Sequence, residues 1–197
     1  MTDPTVPARA DARRNRDAVL DAAVRVLAER PEASMREIAE ASGLGRTTIY
    51  RHFRQREELV SALLRRVFLE AQALVDETVA AARAARAAGD PGAPDAVATI
   101  AALAARMLGL GARYRVLERH GDSEGERALR DAQGDEPLRS FLAEAQARGE
   151  VRDDLPVDWL LRAIEALIRT GIAAEGEPGV GDHLAASIRA LLTPTAA

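Results

Sequence analysis

The chain has no cysteine and no lysine, and only 3% of its 197 residues are aromatic. Without cysteine there is neither a disulfide nor a thiolate metal ligand, which fits a reducing compartment, and the cytoplasm is the expected location. The N-terminus carries no continuous apolar core of a secretory signal. The longest uncharged apolar run, Ala96 to Ala105, is about half of a membrane span, so no membrane partner is expected. Most catalytic signatures are missing as well: there is no P-loop, G-x-G-x-x-G or H-E-x-x-H. The three histidines, at 52, 120 and 183, stand too far apart for a local metal or catalytic motif. No enzyme activity, metal or cofactor is expected, although folding can still bring distant residues together.

What remains is rich in Ala, Leu, Arg and Glu, with 47% apolar and 29% charged residues. That composition predicts a globular, all-α protein. Charge is uneven: residues 1–56 hold 11 Arg against 8 acidic residues, and residues 57–197 hold 16 Arg against 23, or +3 and −7. A basic end on an acidic body suggests that only that end approaches a polyanion.

Residues 1–10, with Pro4 and Pro7, read as a flexible arm, residues 11–57 as a DNA-binding domain and residues 58–197 as a larger helical body. Val19, Ala23, Val26 and Leu27 keep the spacing of one buried stripe, predicting a helix over 11–30 that Pro31 closes. Ser34 and Glu37 form an S-x-x-E capping box that starts a second helix at Met35, and Gly43 ends it. A short helix from Arg46 to about Phe53 follows, roughly 12 Å long, anchored by Ile49 and Phe53 four residues apart. A longer helix starts at Arg56 and runs towards Gly89. Further helices are predicted at about 95–109, 111–120, 124–132, 136–148, 156–174 and 180–192.

From Gly43 to Arg56 there is no Asp or Glu, while Arg46, Arg51, Arg54 and Arg56 are cationic. Two short helices around a glycine turn, the second bearing small, hydroxylated and basic side chains, are a helix-turn-helix. Its second helix sets side chains against base edges in the major groove of double-stranded DNA. Arg46 can donate two hydrogen bonds to guanine, and Thr47 and Thr48 are short enough to let the helix approach and can hydrogen-bond an edge or touch a thymine methyl. Tyr50, His52 and Arg56 suit phosphate oxygens, which fix register without reading sequence. Arg9, Arg13, Arg14 and Arg16 can reach a neighbouring groove or phosphate, or belong to a solvated arm.

Ile38-Ala39, Gly43-Leu44, Thr48-Ile49-Tyr50-Arg51-His52-Phe53 and Glu57-Glu58-Leu59 together resemble the N-terminal signature of TetR-family transcriptional regulators, over about residues 14–63. The resemblance puts Arg46, Thr47, Thr48 and Arg51 on base- or groove-facing positions and Tyr50 and His52 on phosphate-facing ones. Gly45 stands where the family often has a capping Ser, and Arg56 where Lys is usual. The resemblance also implies a homodimer on a palindromic operator, acting as a repressor and released by an unidentified small-molecule effector bound in the body.

For the body, the larger side chains Phe68, Met107, Leu110, Tyr114, Leu117, Phe141 and Trp159 are candidates for an effector pocket, with ordinary core packing as the competing role for each. In the family the last two helices pair with a symmetry mate, and Ile164, Leu167, Ile168, Leu184, Ile188 and Leu191 are the candidates here. Closure of the chain's own core is the alternative. A different class of reading also stands: a small-molecule-binding or catalytic helical protein whose N-terminal domain no longer reads DNA. An activator or DNA-loading scaffold is a third.

Overall fold

The helices, in chain order, are α1 (Thr5–Glu29), α2 (Met35–Ser42), α3 (Arg46–His52), α4 (Arg56–Ala87), α5 (Ala96–Leu108), α6 (Glu136–Ala147), α7 (Val157–Ala173) and α8 (Val180–Leu192). The computed structural model describes residues 5–111, 136–174 and 176–194, and among them every regular element is an α-helix. The fold is all-α, as composition predicts. The helices expected at 111–120 and 124–132 lie outside the described residues.

One expectation fails at the N-terminus. Thr5–Ala10, read above as part of a flexible arm, begin α1. Pro7 is compatible with this because it falls in the first turn, where its missing N–H has no helical partner in any case, and Ala and Arg follow.

Two compact units form. The first contains α1, α2, α3 and α4 as far as Phe68; the second contains α4 from Leu69, then α5 to α8. The division therefore lies inside α4 rather than after residue 57. Leu59, Val60, Leu63, Leu64 and Val67 on the first turns of α4 are buried, and the first four of these complete the core begun by the three preceding helices. No Gly or Pro interrupts residues 56–87, so nothing stops the helix where that core is finished.

In the first unit, α1 supplies Val19, Leu20, Ala23, Val26 and Leu27, α2 supplies Met35, Ile38 and Ala39, and α3 supplies Ile49, with Phe53 just beyond it. Fully burying each of the larger side chains contributes on the order of 1.5–3 kcal/mol. Ser34 caps α2 as expected, with the reciprocal capping box formed. Gly43 ends α2 at φ 69°, a left-handed conformation in which a Cβ is unfavourable. Leu44 then turns in against the core.

The second unit has its own core, in which Ile100, Ala104, Phe141, Leu142, Leu160, Ile164, Ile188 and Leu192 are all 1% exposed or less. Asp95 caps α5 through the Ala98 amide at 2.7 Å. Between α6 and α7, the Gln146 side-chain amide donates to the carbonyls of Arg152 and Leu155 at 2.8 and 2.9 Å, tying down the connecting loop. Gly171 lets α7 approach its neighbours: a Cβ there would stand 3.0 Å from Leu108 and 3.2 Å from Leu184.

Candidate nucleic-acid interface

The reading helix α3 is only seven residues long, so tertiary anchoring rather than intrinsic propensity holds it. Ile49 is fully buried and Phe53 nearly so, one turn apart. With that face fixed inward, Arg46, Thr47, Tyr50 and Arg51 are exposed and Thr48 is half-buried. Tyr50 is 42% exposed, unusual for a large ring and suited to a surface that meets a partner. Gly45 precedes the helix in extended conformation with no side-chain cap, as its missing hydroxyl requires.

His52, the last residue of α3, is half-buried, and its Nε2 is buried without a hydrogen-bond partner among the described residues. Burial, and then the charges of Arg51 and Arg16, hold its pKa below the ordinary 6.5. Arg16 arrives from α1, its guanidinium 5.2 Å from the centre of the Phe53 ring. Sequence reasoning left Arg16 among the N-terminal arginines of uncertain role. The signal was present: Arg16, Leu20, Ala23 and Leu27 follow helical spacing, which puts Arg16 on the edge of the buried stripe.

Arg56, expected at a phosphate, has main-chain partners in the free chain. Its guanidinium donates to the carbonyl of Pro31 and, at 3.4 Å, to that of Ala33, so it fastens α4 to the α1–α2 turn. The residue suits phosphate by charge, but two main-chain acceptors already engage it. Arg14 pairs with Asp11, and Arg36 with Glu40 at 3.7 Å. Arg54 is exposed, and its main-chain amide donates to Glu58 at 2.8 Å.

In the body, Phe141 is fully buried in the second unit's core and Met107 is 7% exposed. Phe68 and Leu110 are half-buried, whereas Trp159 is 56% exposed. Tyr114 and Leu117 lie outside the described residues. The interface candidates also divide. Ile164, Leu184 and Ile188 are buried in the unit's own core and present no surface to another copy, because the apolar stripes of α7 and α8 are wide and their inner edges pack on each other and on α5. Leu167, Ile168 and Leu191 are only partly buried against that core. Among the described residues no cluster of three or more His, Cys, Asp and Glu is placed to hold a metal ion, and no helix is long and apolar enough to cross a membrane.

A short helix anchored by two buried side chains, braced by a capped helix and presenting arginine, threonine and tyrosine to solvent, defines a helix-turn-helix protein. Residues 19–63 match the family profile described as bacterial regulatory proteins, tetR family. A stretch of 76 residues is 41% identical to the HTH-type transcriptional repressor LfrR of Mycolicibacterium smegmatis, covering 39% of this chain and 40% of that relative. The structure of LfrR from Mycobacterium smegmatis in complex with proflavine is 29% identical, covers 92% of this chain and 96% of that one, and superposes with a TM-score of 0.67. A putative TetR-family transcriptional regulator from Rhodococcus sp. shares the fold at TM-score 0.68 with 19% identity, over 90% and 98% of the two chains. Over residues 19–63 the chain thus matches the tetR family's DNA-binding profile, and over most of its length it is similar to the TetR-like regulator LfrR.

Proposed function

We propose that the protein is a cytoplasmic, effector-responsive transcriptional repressor that binds a palindromic operator as a homodimer. The observation that carries this reading is the exposure of Arg46, Thr47, Tyr50 and Arg51 around the buried Ile49 anchor, in a stretch free of acidic residues. Arg46, with Thr47 and Thr48, reads base edges; Tyr50 and His52 hold phosphates; Arg51 follows the groove. Two-fold pairing through the exposed margins of α7 and α8 would set two such helices about 34–36 Å apart or rather wider, to match successive turns of the duplex.

The complex of LfrR with proflavine supports a small organic effector, bound here in the helical body that follows residue 57. Phe68, Leu110, Tyr114 and Leu117 are the candidates to meet it. Effector binding favours a conformer in which the DNA heads are wrongly spaced, a coupling of about 1–3 kcal/mol.

The test is sequence-selective binding to the DNA flanking the gene, or to sites recovered from a genomic library, with wild type, Arg46→Ala and Thr48→Ala compared. Wild type is expected to bind selectively and both variants to lose selectivity, with affinity falling steeply as salt rises. No selective binding by wild type in either pool would sink this reading and favour a helical protein that has ceased to read DNA.

A further inference from the structure

Arg16 of α1 and Arg51 of α3 both stand near enough to His52, at the C-terminal end of α3, for their charge to act on it. Arg16 of α1 stacks on Phe53, which holds its guanidinium in place without occupying its N–H groups, and it makes no other polar contact among the described residues. Arg51 is exposed. His52, between Arg51 and Phe53 in the chain, feels the positive charge of both arginines and has its Nε2 buried without an acceptor.

The carboxylates of the adjoining elements are engaged elsewhere or lie in solvent. Glu58 of α4 takes the Arg54 amide, Asp21 of α1 pairs with Arg66, Glu40 of α2 pairs with Arg36, and Glu37 of α2 is held by Ser34 and Arg30. Asp17 and Glu57 are exposed. Burial first, and then these two cations among the described residues, favour the neutral ring.

We propose that Arg16 and Arg51 seat one backbone phosphate of the DNA beside His52, and that seating it draws a proton onto the imidazole, so that operator affinity rises on acidification. This rests on the DNA-reading function proposed above. A phosphate against the two guanidiniums cancels the like charge that disfavours the imidazolium and adds an opposite charge of its own. Arg16 thereby becomes a DNA-binding residue contributed by α1, and His52 a proton-linked one. The sign follows from linkage: a group whose pKa is higher in the complex than in the free protein takes up a proton on binding. Affinity then gains as pH falls through the bound-state value and levels off below the free-state value.

Affinity for a selected operator is measured by fluorescence anisotropy from about pH 5.5 to 8.5 at constant ionic strength. Calorimetry in buffers of different ionisation enthalpy counts the protons taken up. Wild type is expected to bind more tightly on acidification, by up to about tenfold per pH unit for each proton bound, with net proton uptake. His52→Gln is expected to bind with a flat profile. Arg16→Gln is expected to bind more weakly, with a salt slope shallower by about 1.8 for one phosphate lost from each protomer of the dimer, and in the free protein to raise the His52 pKa read by NMR. Selective binding that is independent of pH, proton release instead of uptake, or an unchanged slope in His52→Gln overturns the inference while leaving the DNA-reading function intact. Absence of any selective binding by wild type removes both.

Discussion

Ser34 and Glu37 hold each other across the first turn of α2: the Glu37 amide donates to the Ser34 hydroxyl oxygen at 3.3 Å, while the Glu37 carboxylate accepts from the Ser34 amide and hydroxyl, each at 2.8 Å. Those bonds fix where the bracing helix begins, and with it the position of the turn that precedes the reading helix.

Ser34→Ala is expected to destabilise the protein by about 1 kcal/mol at neutral pH, as the loss of a helix cap does. The Ser34 amide, then the Ser34 hydroxyl, hold the Glu37 pKa below the ordinary 4.5 against the opposing effect of burial, with Arg30 and Arg36 assisting. A depressed carboxylate contributes stability above its ordinary value and loses it as pH falls through the lowered one. Urea titrations of wild type and variant should therefore differ most near neutrality and by less in acid, where only the bond from the Glu37 amide to the Ser34 hydroxyl still separates them. A difference that persists unchanged in acid would contradict the reciprocal arrangement.

Arg56→Met is expected to cost about 1.5–3 kcal/mol in stability, because the Pro31 and Ala33 carbonyls lose a charged donor. Thermal unfolding measures that loss. DNA binding separates this role from a phosphate contact: under conditions where the variant is folded, its salt slope should equal that of wild type. A slope shallower by about 1.8, one phosphate for each protomer of the dimer, would return Arg56 to the phosphates.

Gly43→Ala should destabilise by about 1–2 kcal/mol although nothing lies within 4 Å of the added Cβ. The cost is conformational, arising from φ 69°, so Gly43→Asn should be milder than Gly43→Ala. Denaturant midpoints for the pair check the order, and equal midpoints would speak against a backbone origin.

Glu150 joins three parts of the second unit. It accepts from Arg148 at 2.6 Å, from Arg86 of α4 at 2.7 Å and from the Ala96 amide at the start of α5 at 3.1 Å. Burial pushes its pKa up, but Arg148, the Ala96 amide and Arg86 outweigh this and leave it below the ordinary carboxylate value. Glu150→Gln is expected to cost about 1–2 kcal/mol at neutral pH. The difference from wild type should shrink in acid, as protonation removes the same charge from the native side chain. Unfolding followed across the acid range checks the direction.

The helix-turn-helix was legible in the sequence because each of its devices is local. Ser34-x-x-Glu37, Gly43 and the Ile49–Phe53 pair act within a turn or two of themselves, so spacing alone is enough to read them. What escaped depends on contacts distant in sequence. Arg56 reads as a free cation until Pro31 and Ala33 are seen beside it, and Arg16 reads as one of several arginines until Phe53 is seen beneath it. The body shows the same limit from the other direction. The apolar stripes of α7 and α8 were plain, but which edge faces inward is decided by three-dimensional packing, and Ile164 and Ile188 fell to the inside.

Trp159 is the chain's single tryptophan, and it stands on α7 with more than half its surface in solvent. The protein therefore contains one indole reporter, whose emission, excited at wavelengths that tyrosine does not absorb, comes from a single known place. Water around the indole holds that emission at long wavelength, and any event that covers this part of α7 moves it to shorter wavelength. Dilution of the unlabelled protein can thus follow self-association at this surface without a dye, a tag or a substitution.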